Sequence, residues 1–176
     1  MSYDLRLFEI REGVDAGSAY EQLMQQEEAE LAGTGDEWLK RSLPASTRTR
    51  MQQLADALRA RWVRFVQFEP KSPFPWIELN DENLQVQVSV YENSVSITMP
   101  YFREQVVEMM ACISSCIQVC HELRGYTAFN PQLRRAVTAD DSESITRAYR
   151  SMNKAFPDPA RETKSKNSWW NRLWSR

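Results

Sequence analysis

The sequence predicts an α+β domain: an antiparallel sheet of about four to six strands, with a central hairpin at about 84–99 and helices packed mainly on one face. Residues 84–99 alternate apolar and polar side chains in two neighbouring runs, which is the pattern of a half-buried antiparallel hairpin. Residues 101–124 lack glycine and proline and carry an apolar stripe at the helical period. We expect a helix with that stripe to cover the apolar face of the hairpin.

The turn of the hairpin determines its register. A two-residue turn at Glu92 and Asn93 would place the apolar side chains of both strands on one face of the sheet. Asn93 tolerates the positive φ that such a turn needs, whereas Glu92 does so poorly, which leaves a four-residue loop as the alternative. The pairs predicted for the two-residue turn are Val90 with Val95, Val88 with Ile97 and Val86 with Met99.

Before the hairpin, the sequence predicts a strand, two helices and a second short strand. Leu5 and Leu7 lie on one face of the first strand, and Phe8 and Ile10 lie on the other, so both faces are expected to be covered. Asp15 is a suitable N-cap for the first helix. The predicted bounds are 3–10 for the first strand, 16–31 and 47–66 for the helices, and 76–79 for the short strand.

After the hairpin, the sequence predicts a long helix, one or two short strands and a last helix. Gly125 lies where the C-cap of the long helix belongs, because glycine adopts the left-handed conformation that ends many helices. Residues 1–157 are expected to form a single domain, followed by a flexible, basic, Trp-rich tail at 158–176. The predicted bounds are 101–124 for the long helix, 126–129 for a strand that 133–137 extends or pairs, and 140–156 for the last helix.

The composition argues against several classes of function. The 176 residues carry a net charge of −2, which argues against general nucleic-acid binding. Residues 1–44 carry a net charge of −6 and residues 45–66 one of +4, so we expect complementary helix faces to lie near each other. The apolar runs are shorter than a membrane span, and the N-terminus lacks the pattern of a secretory signal. A cytoplasmic location is therefore expected.

Three cysteines and the one histidine of the chain lie close together in the long helix. Cys112, Cys116 and Cys120 recur every four residues and overlap its apolar stripe. A straight helix cannot surround a metal ion, and the sequence has no second cysteine or histidine pair to complete a site. We expect the thiols to pack in the core, with a redox role as the alternative, and we expect neither a metal nor a cofactor.

The sequence contains no nucleophile elbow, Walker A loop, dinucleotide-binding loop or zinc-protease motif. Adjacent carboxylates at 81–82 and 140–141 lie in turn-rich stretches, where aspartate serves as a cap or turn residue. We therefore expect a non-enzymatic protein that binds another protein. The alternatives are an enzyme that uses residues such as Tyr91, Glu92 or Cys120, and a peripheral membrane protein anchored by its tail.

Three stretches are candidates for contact with a partner. The first is the acidic group near the end of the first helix, where a solvated face is the alternative. The second is the hairpin turn, whose flat polar side is otherwise exposed to solvent or covered by a helix. The third is the tail, whose tryptophan and basic residues suit a partner groove or a membrane surface. The alternative is a tail that is disordered or folded back on its own domain. The candidate residues are Glu27, Glu28, Glu30, Tyr91, Glu92, Asn93, Trp169, Trp170 and Trp174.

Two short motifs complete the pattern: Tyr3-Asp4-Leu5 in the first strand, and Gly125 followed by Asn130-Pro131-Gln132 at the end of a short strand. With this order of elements, the chain resembles a loosely defined group of uncharacterised bacterial cytoplasmic proteins, some of which resemble immunity proteins. The resemblance implies an inhibitor that neutralises a toxin by occluding its active site. It implies no catalytic residue.

Overall fold

The computed structural model describes residues 2–34, 42–68, 75–100 and 105–155, which contain seven strands in a single sheet. The strands are β1 (Ser2–Phe8), β2 (Val66–Gln67), β3 (Ile77–Asp81), β4 (Val86–Val90), β5 (Ser94–Pro100), β6 (Thr127–Asn130) and β7 (Arg135–Val137). Their order is β2-β3-β4-β5-β1-β6-β7, and every pair of neighbours is antiparallel. The predicted α+β class with an antiparallel sheet is confirmed.

The described sheet has more strands than the predicted four to six. The unpredicted strand is β2, which pairs with β3 at one edge of the sheet. Its two residues are too few to show alternation, and they fall at the predicted end of the second helix. That helix is shorter than predicted, since it ends at Arg61 rather than near Val66.

The central hairpin has the predicted register. Val90 pairs with Val95 and Val88 with Ile97, and the Tyr91 amide donates to the Ser94 carbonyl oxygen at 2.9 Å across a two-residue turn. The expected positive φ at Asn93 is wrong, because the described non-glycine residues with positive φ are Gln85 and Arg134. The turn therefore closes without left-handed backbone.

Three helices cover one face of the sheet and form the core with it. They are α2 (Ala45–Arg61), α3 (Val106–Arg124) and α4 (Ser142–Ala155). Leu5, Val88 and Ile97 face them and are fully buried. Gly125 has φ of 64° and its amide donates to the His121 carbonyl oxygen at 2.8 Å, so the predicted C-cap of α3 is confirmed.

A further helix, α1 (Ala16–Thr34), packs on the opposite face against β6 and β7. Asp15 Oδ1 accepts from the amides of Gly17 and Ser18 at 3.0 and 3.1 Å, as predicted for its N-cap. The Tyr20 ring stacks on Phe129, with the ring centroids 4.7 Å apart. Since α1 and α2 lie on opposite faces, the expected pairing of an acidic first helix with a basic second helix is wrong.

Two turns of the sheet have the same pattern of hydrogen bonds. Asp81 Oδ1 accepts from the amides of the second and third residues after it, and Asn130 Oδ1 does the same in the turn between β6 and β7. Each turn ends on a residue with φ near +50°, Gln85 or Arg134. Asn130 also donates from Nδ2 to the Tyr3 hydroxyl at 2.5 Å, which connects this turn to β1.

Candidate functional site

An opening on the α1 side of the sheet, called here the α1–hairpin cleft, lies between α1 and the turn of the central hairpin. Its volume is about 570 Å³. It joins side chains that are far apart in the sequence but meet because α1 crosses the polar face of the sheet. The lining residues are Arg6, Leu23, Gln26, Glu27, Glu30, Leu43, Pro75, Tyr91, Glu92, Asn93 and Ser94.

Arg6 is the central charged group of the cleft. It points from β1 to the α1 side, and its side chain is 14% exposed. Its Nη2 donates to the Glu27 carboxylate, and its guanidinium carbon lies 5.2 Å from the centroid of the Tyr91 ring, in cation–π range. Its Nη1 is buried and has no acceptor within the described part of the chain. The guanidinium is thus held in place by Glu27 and Tyr91, while one of its nitrogens has no acceptor among the described residues.

The carboxylate of Glu27 lies in a poorly solvated position. Burial raises its pKa, and this effect exceeds the opposing effects of the Arg6 cation and a hydrogen bond from the Ser94 side chain. The Glu27 side chain is 28% exposed. Because both charges of this pair are partly desolvated, removal of either partner would leave an uncompensated charge on the sheet.

Tyr91 forms the aromatic wall of the cleft. Its ring contacts the Arg6 guanidinium and also lies near the Trp76 ring, whose centroid is 6.1 Å away. Burial raises the pKa of the Tyr91 hydroxyl, so this group is neutral over the physiological range. The ring offers a rigid apolar surface with a hydroxyl attached, a combination that protein interfaces favour.

A smaller cavity of about 190 Å³ lies on the other side of the hairpin tip. Glu92 and Asn93 line both openings, and Arg50 and Arg124 contribute positive charge to the smaller one. The Thr47 hydroxyl donates to Glu92 at 3.5 Å, a long contact between α2 and the tip. The tip residues are therefore accessible from both sides of the sheet.

The structure brings together most of the residues that the sequence singled out for partner contact. Glu27, Glu30, Tyr91, Glu92 and Asn93 all line the α1–hairpin cleft. The remaining acidic candidate, Glu28, is exposed on α1 and is not among the residues lining the cleft. The tail candidates, which lie outside the described residues, are Trp169, Trp170 and Trp174.

Arg6 is the charged residue of the cleft that the sequence did not single out. The first strand was predicted to be covered on both faces, and Arg6 lies on the same face as Phe8. A charged side chain on a covered face of a central strand requires a partner of opposite charge. From this requirement the sequence predicts that Arg6 has an acidic partner. It does not identify Glu27 among the acidic residues of α1.

The thiols of α3 lie in the core and not in the cleft. Cys112, Cys116 and Cys120 are free and at most 1% exposed, as predicted. A hydrogen bond with Cys112, followed by burial, raises the pKa of Cys116 well above its usual value, and burial raises that of Cys120 to about 12. Cys116 and Cys120 therefore stay protonated at neutral pH, which makes them poor nucleophiles.

Comparisons with protein-family models, with curated proteins and with solved structures found no match. Among the described residues, α3 is long and apolar enough to cross a membrane, with a mean hydropathy of 1.3, and half of that stretch is buried inside the protein. Core helices share these properties, and α3 is the central helix of the core. The expected cytoplasmic location stays a prediction.

Proposed function

We propose that the protein binds another protein through the α1–hairpin cleft and the tip beside it, without catalysing a reaction. One observation carries the proposal. Candidate residues from two distant stretches, Glu27 and Glu30 in one and Tyr91 to Asn93 in the other, line the same cleft. Its charged, aromatic and apolar groups are of the kinds that anchor protein interfaces.

The narrower form of the proposal is an immunity-type inhibitor that occludes the active site of a toxin. The sequence resemblance supports it, and the two motifs of that resemblance are in contact, since Asn130 donates to the Tyr3 hydroxyl. Both motifs thus maintain the sheet. In this form the acidic and aromatic side chains of the cleft are the anchors that complement the partner.

A second candidate function, an enzyme, is favoured by a separate observation. Burial raises the pKa of both Glu27 and Tyr91, and shifted groups that converge on a cleft are characteristic of active sites. Both groups are engaged by Arg6, however. That arrangement suits a fixed recognition surface better than a pair that transfers protons.

Affinity capture with matched variants tests the proposal. Full-length protein is exposed to a lysate of the organism that encodes it, and the retained proteins are identified by mass spectrometry. Asn93 is exposed at the tip, so Asn93→Arg should abolish capture of the partner by steric and charge repulsion. Ala111→Arg places the same side chain on the exposed face of α3 and should leave capture unchanged.

Two results would contradict protein binding through the cleft. One is wild-type protein that retains no protein from the lysate. The other is a partner that Asn93→Arg retains and Ala111→Arg loses, which would move the interface to the helical face. For the enzyme, the corresponding test is an activity that both Glu27→Gln and Tyr91→Phe abolish in folded protein.

A further inference from the structure

The α-helices of the described chain differ in how firmly they are packed, and α1 is the least buried of them. Five residues of α2 and nine residues of α3 are buried. Among the α1 side chains that the structure describes, none is buried, and those nearest the sheet are half-buried. Because an element with few buried apolar contacts opens most easily, α1 is the helix that should leave the protein most readily.

One aromatic contact and one ion pair hold the middle of α1 on the sheet. The Tyr20 ring stacks on Phe129 with the centroids 4.7 Å apart, and its centroid lies 6.5 Å from that of Phe8. One turn further from the N-terminus than Leu23, Glu27 accepts from the Arg6 guanidinium. Both the ring and the carboxylate are partly open to water, so each contact is weaker than its counterpart in the core.

A further contact, near the start of α1, is weaker still. Glu21 and Arg134 lie 3.8 Å apart, with side chains 65% and 83% exposed, and such a surface ion pair contributes little to stability. The helix itself has 19 residues, a length that is only marginally stable alone in water. Once α1 leaves the sheet, its backbone amides therefore become open to exchange with solvent.

We propose that α1 is a movable cover, which opens from the sheet while α2, α3 and α4 stay folded on the other face. Opening separates Glu27 from Arg6 and uncovers Phe8 and Phe129, each of which is 3% exposed while α1 is closed. Because α1 supplies one wall of the α1–hairpin cleft, the cleft exists only in the closed state. The position of α1 thus controls the cleft, whatever the cleft binds.

Amide hydrogen exchange of the full-length protein, followed by NMR, tests the opening. The amides of Leu23 and Met24, in the middle of α1, should exchange at least about a hundredfold faster than those of Ile113 and Ile117 in α3. Urea below the unfolding transition should accelerate the α3 amides and leave the α1 amides nearly unchanged. The reason is that a local opening exposes little new surface to the denaturant.

Matched variants on the two sides of α1 show whether contact with the sheet controls the exchange. Tyr20→Ala removes the ring that stacks on Phe129 and should accelerate the α1 amides about tenfold or more, with the α3 amides unchanged. Gln22→Ala, on the exposed side of α1, should change neither set by more than about threefold.

A variant of the core face should have the opposite effect. Ile97→Ala leaves a cavity under α3 and should accelerate the α3 amides at least about thirtyfold, while the α1 amides keep their rates. A movable α1 is ruled out if both helices exchange at the same rate with the same urea dependence, since α1 would then leave only when the whole protein unfolds. Acceleration of both helices by Ile97→Ala, or unchanged α1 amides in Tyr20→Ala, would also overturn it.

Discussion

The two faces of the sheet use the same strands but are covered in different ways. On the core face, Leu5, Val88 and Ile97 are fully buried under α2, α3 and α4. On the other face, no α1 side chain that the structure describes is fully buried, and the strand beneath carries Arg6. This difference agrees with the proposal that the first face stabilises the protein and the second binds the partner.

Solvation explains why the charges lie where they do. Burying an ion pair in the core costs the desolvation free energy of both charges. Well-packed apolar side chains do not have this cost. Between α1 and the sheet, Arg6 and Glu27 stay partly exposed, at 14% and 28%, so the pair is retained at smaller cost. A half-solvated face can therefore hold charges that a partner is able to use.

The largest expected difference between the faces is in thiol reactivity. Because the three cysteines are buried, a thiol reagent should reach them only when the protein unfolds. We expect labelling at least about a thousandfold slower than in urea. A cysteine introduced by Asn93→Cys at the exposed tip should react at the rate of a free thiol. Fast labelling of all four thiols would show that the core face is open.

Truncation of one side chain on each face of β5 gives the next largest effect. Ile97→Ala should lower the free energy of unfolding by about 2–5 kcal/mol, because it leaves a cavity in the core. The neighbouring Ser96→Ala changes the other face and should cost less than about 1 kcal/mol. Urea unfolding measures both, and equal losses would contradict the assignment of faces.

The ion pair of the cleft should behave as a coupled unit. Arg6→Met or Glu27→Gln alone should destabilise the protein by about 1–3 kcal/mol, since each leaves the other charge without its counter-charge. The double variant should lose less than the sum of the single ones, with a coupling of more than about 0.5 kcal/mol. Strict additivity in urea unfolding would mean that the two side chains do not interact.

The smallest predicted effect lies at the start of α4, at the margin of the core. Hydrogen bonds from the Thr138 amide, Arg135 and the Thr138 hydroxyl hold the pKa of Asp141 below 3.8. This stabilisation is present above pH 3.8 and is lost as the pH falls through the lower folded-state pKa. Asp141→Asn should therefore cost about 0.5–1 kcal/mol at neutral pH and progressively less in acid. A difference that is constant with pH would contradict this origin.

The core face could be predicted from the sequence because its signals are local. Alternation together with a two-residue turn predicts that Val88 pairs with Ile97, and the helical stripe of α3 predicts that Cys116 is buried. A strand of two residues, β2, gives no such signal. The sequence also does not determine the φ angle at Asn93, since several turn types fit the same loop length.

The cleft could be predicted only in part. Its acidic and aromatic members were recognised as exposed polar groups, but nothing local indicates which face α1 covers. The sequence pattern paired the acidic α1 with the basic α2, whereas Glu27 pairs with Arg6 of β1. Contacts of this kind depend on the path of the chain between elements, which periodicity does not encode.

The most direct test of the division between the faces is site-specific photo-crosslinking in cells. A photoreactive amino acid is placed at Asn93, on the tip of the cleft, or at Ala111, on the exposed face of α3. We predict a crosslinked partner protein from position 93 and none from position 111. A partner crosslinked from position 111 alone would contradict the account, because recognition would then occur on the face assigned to stability.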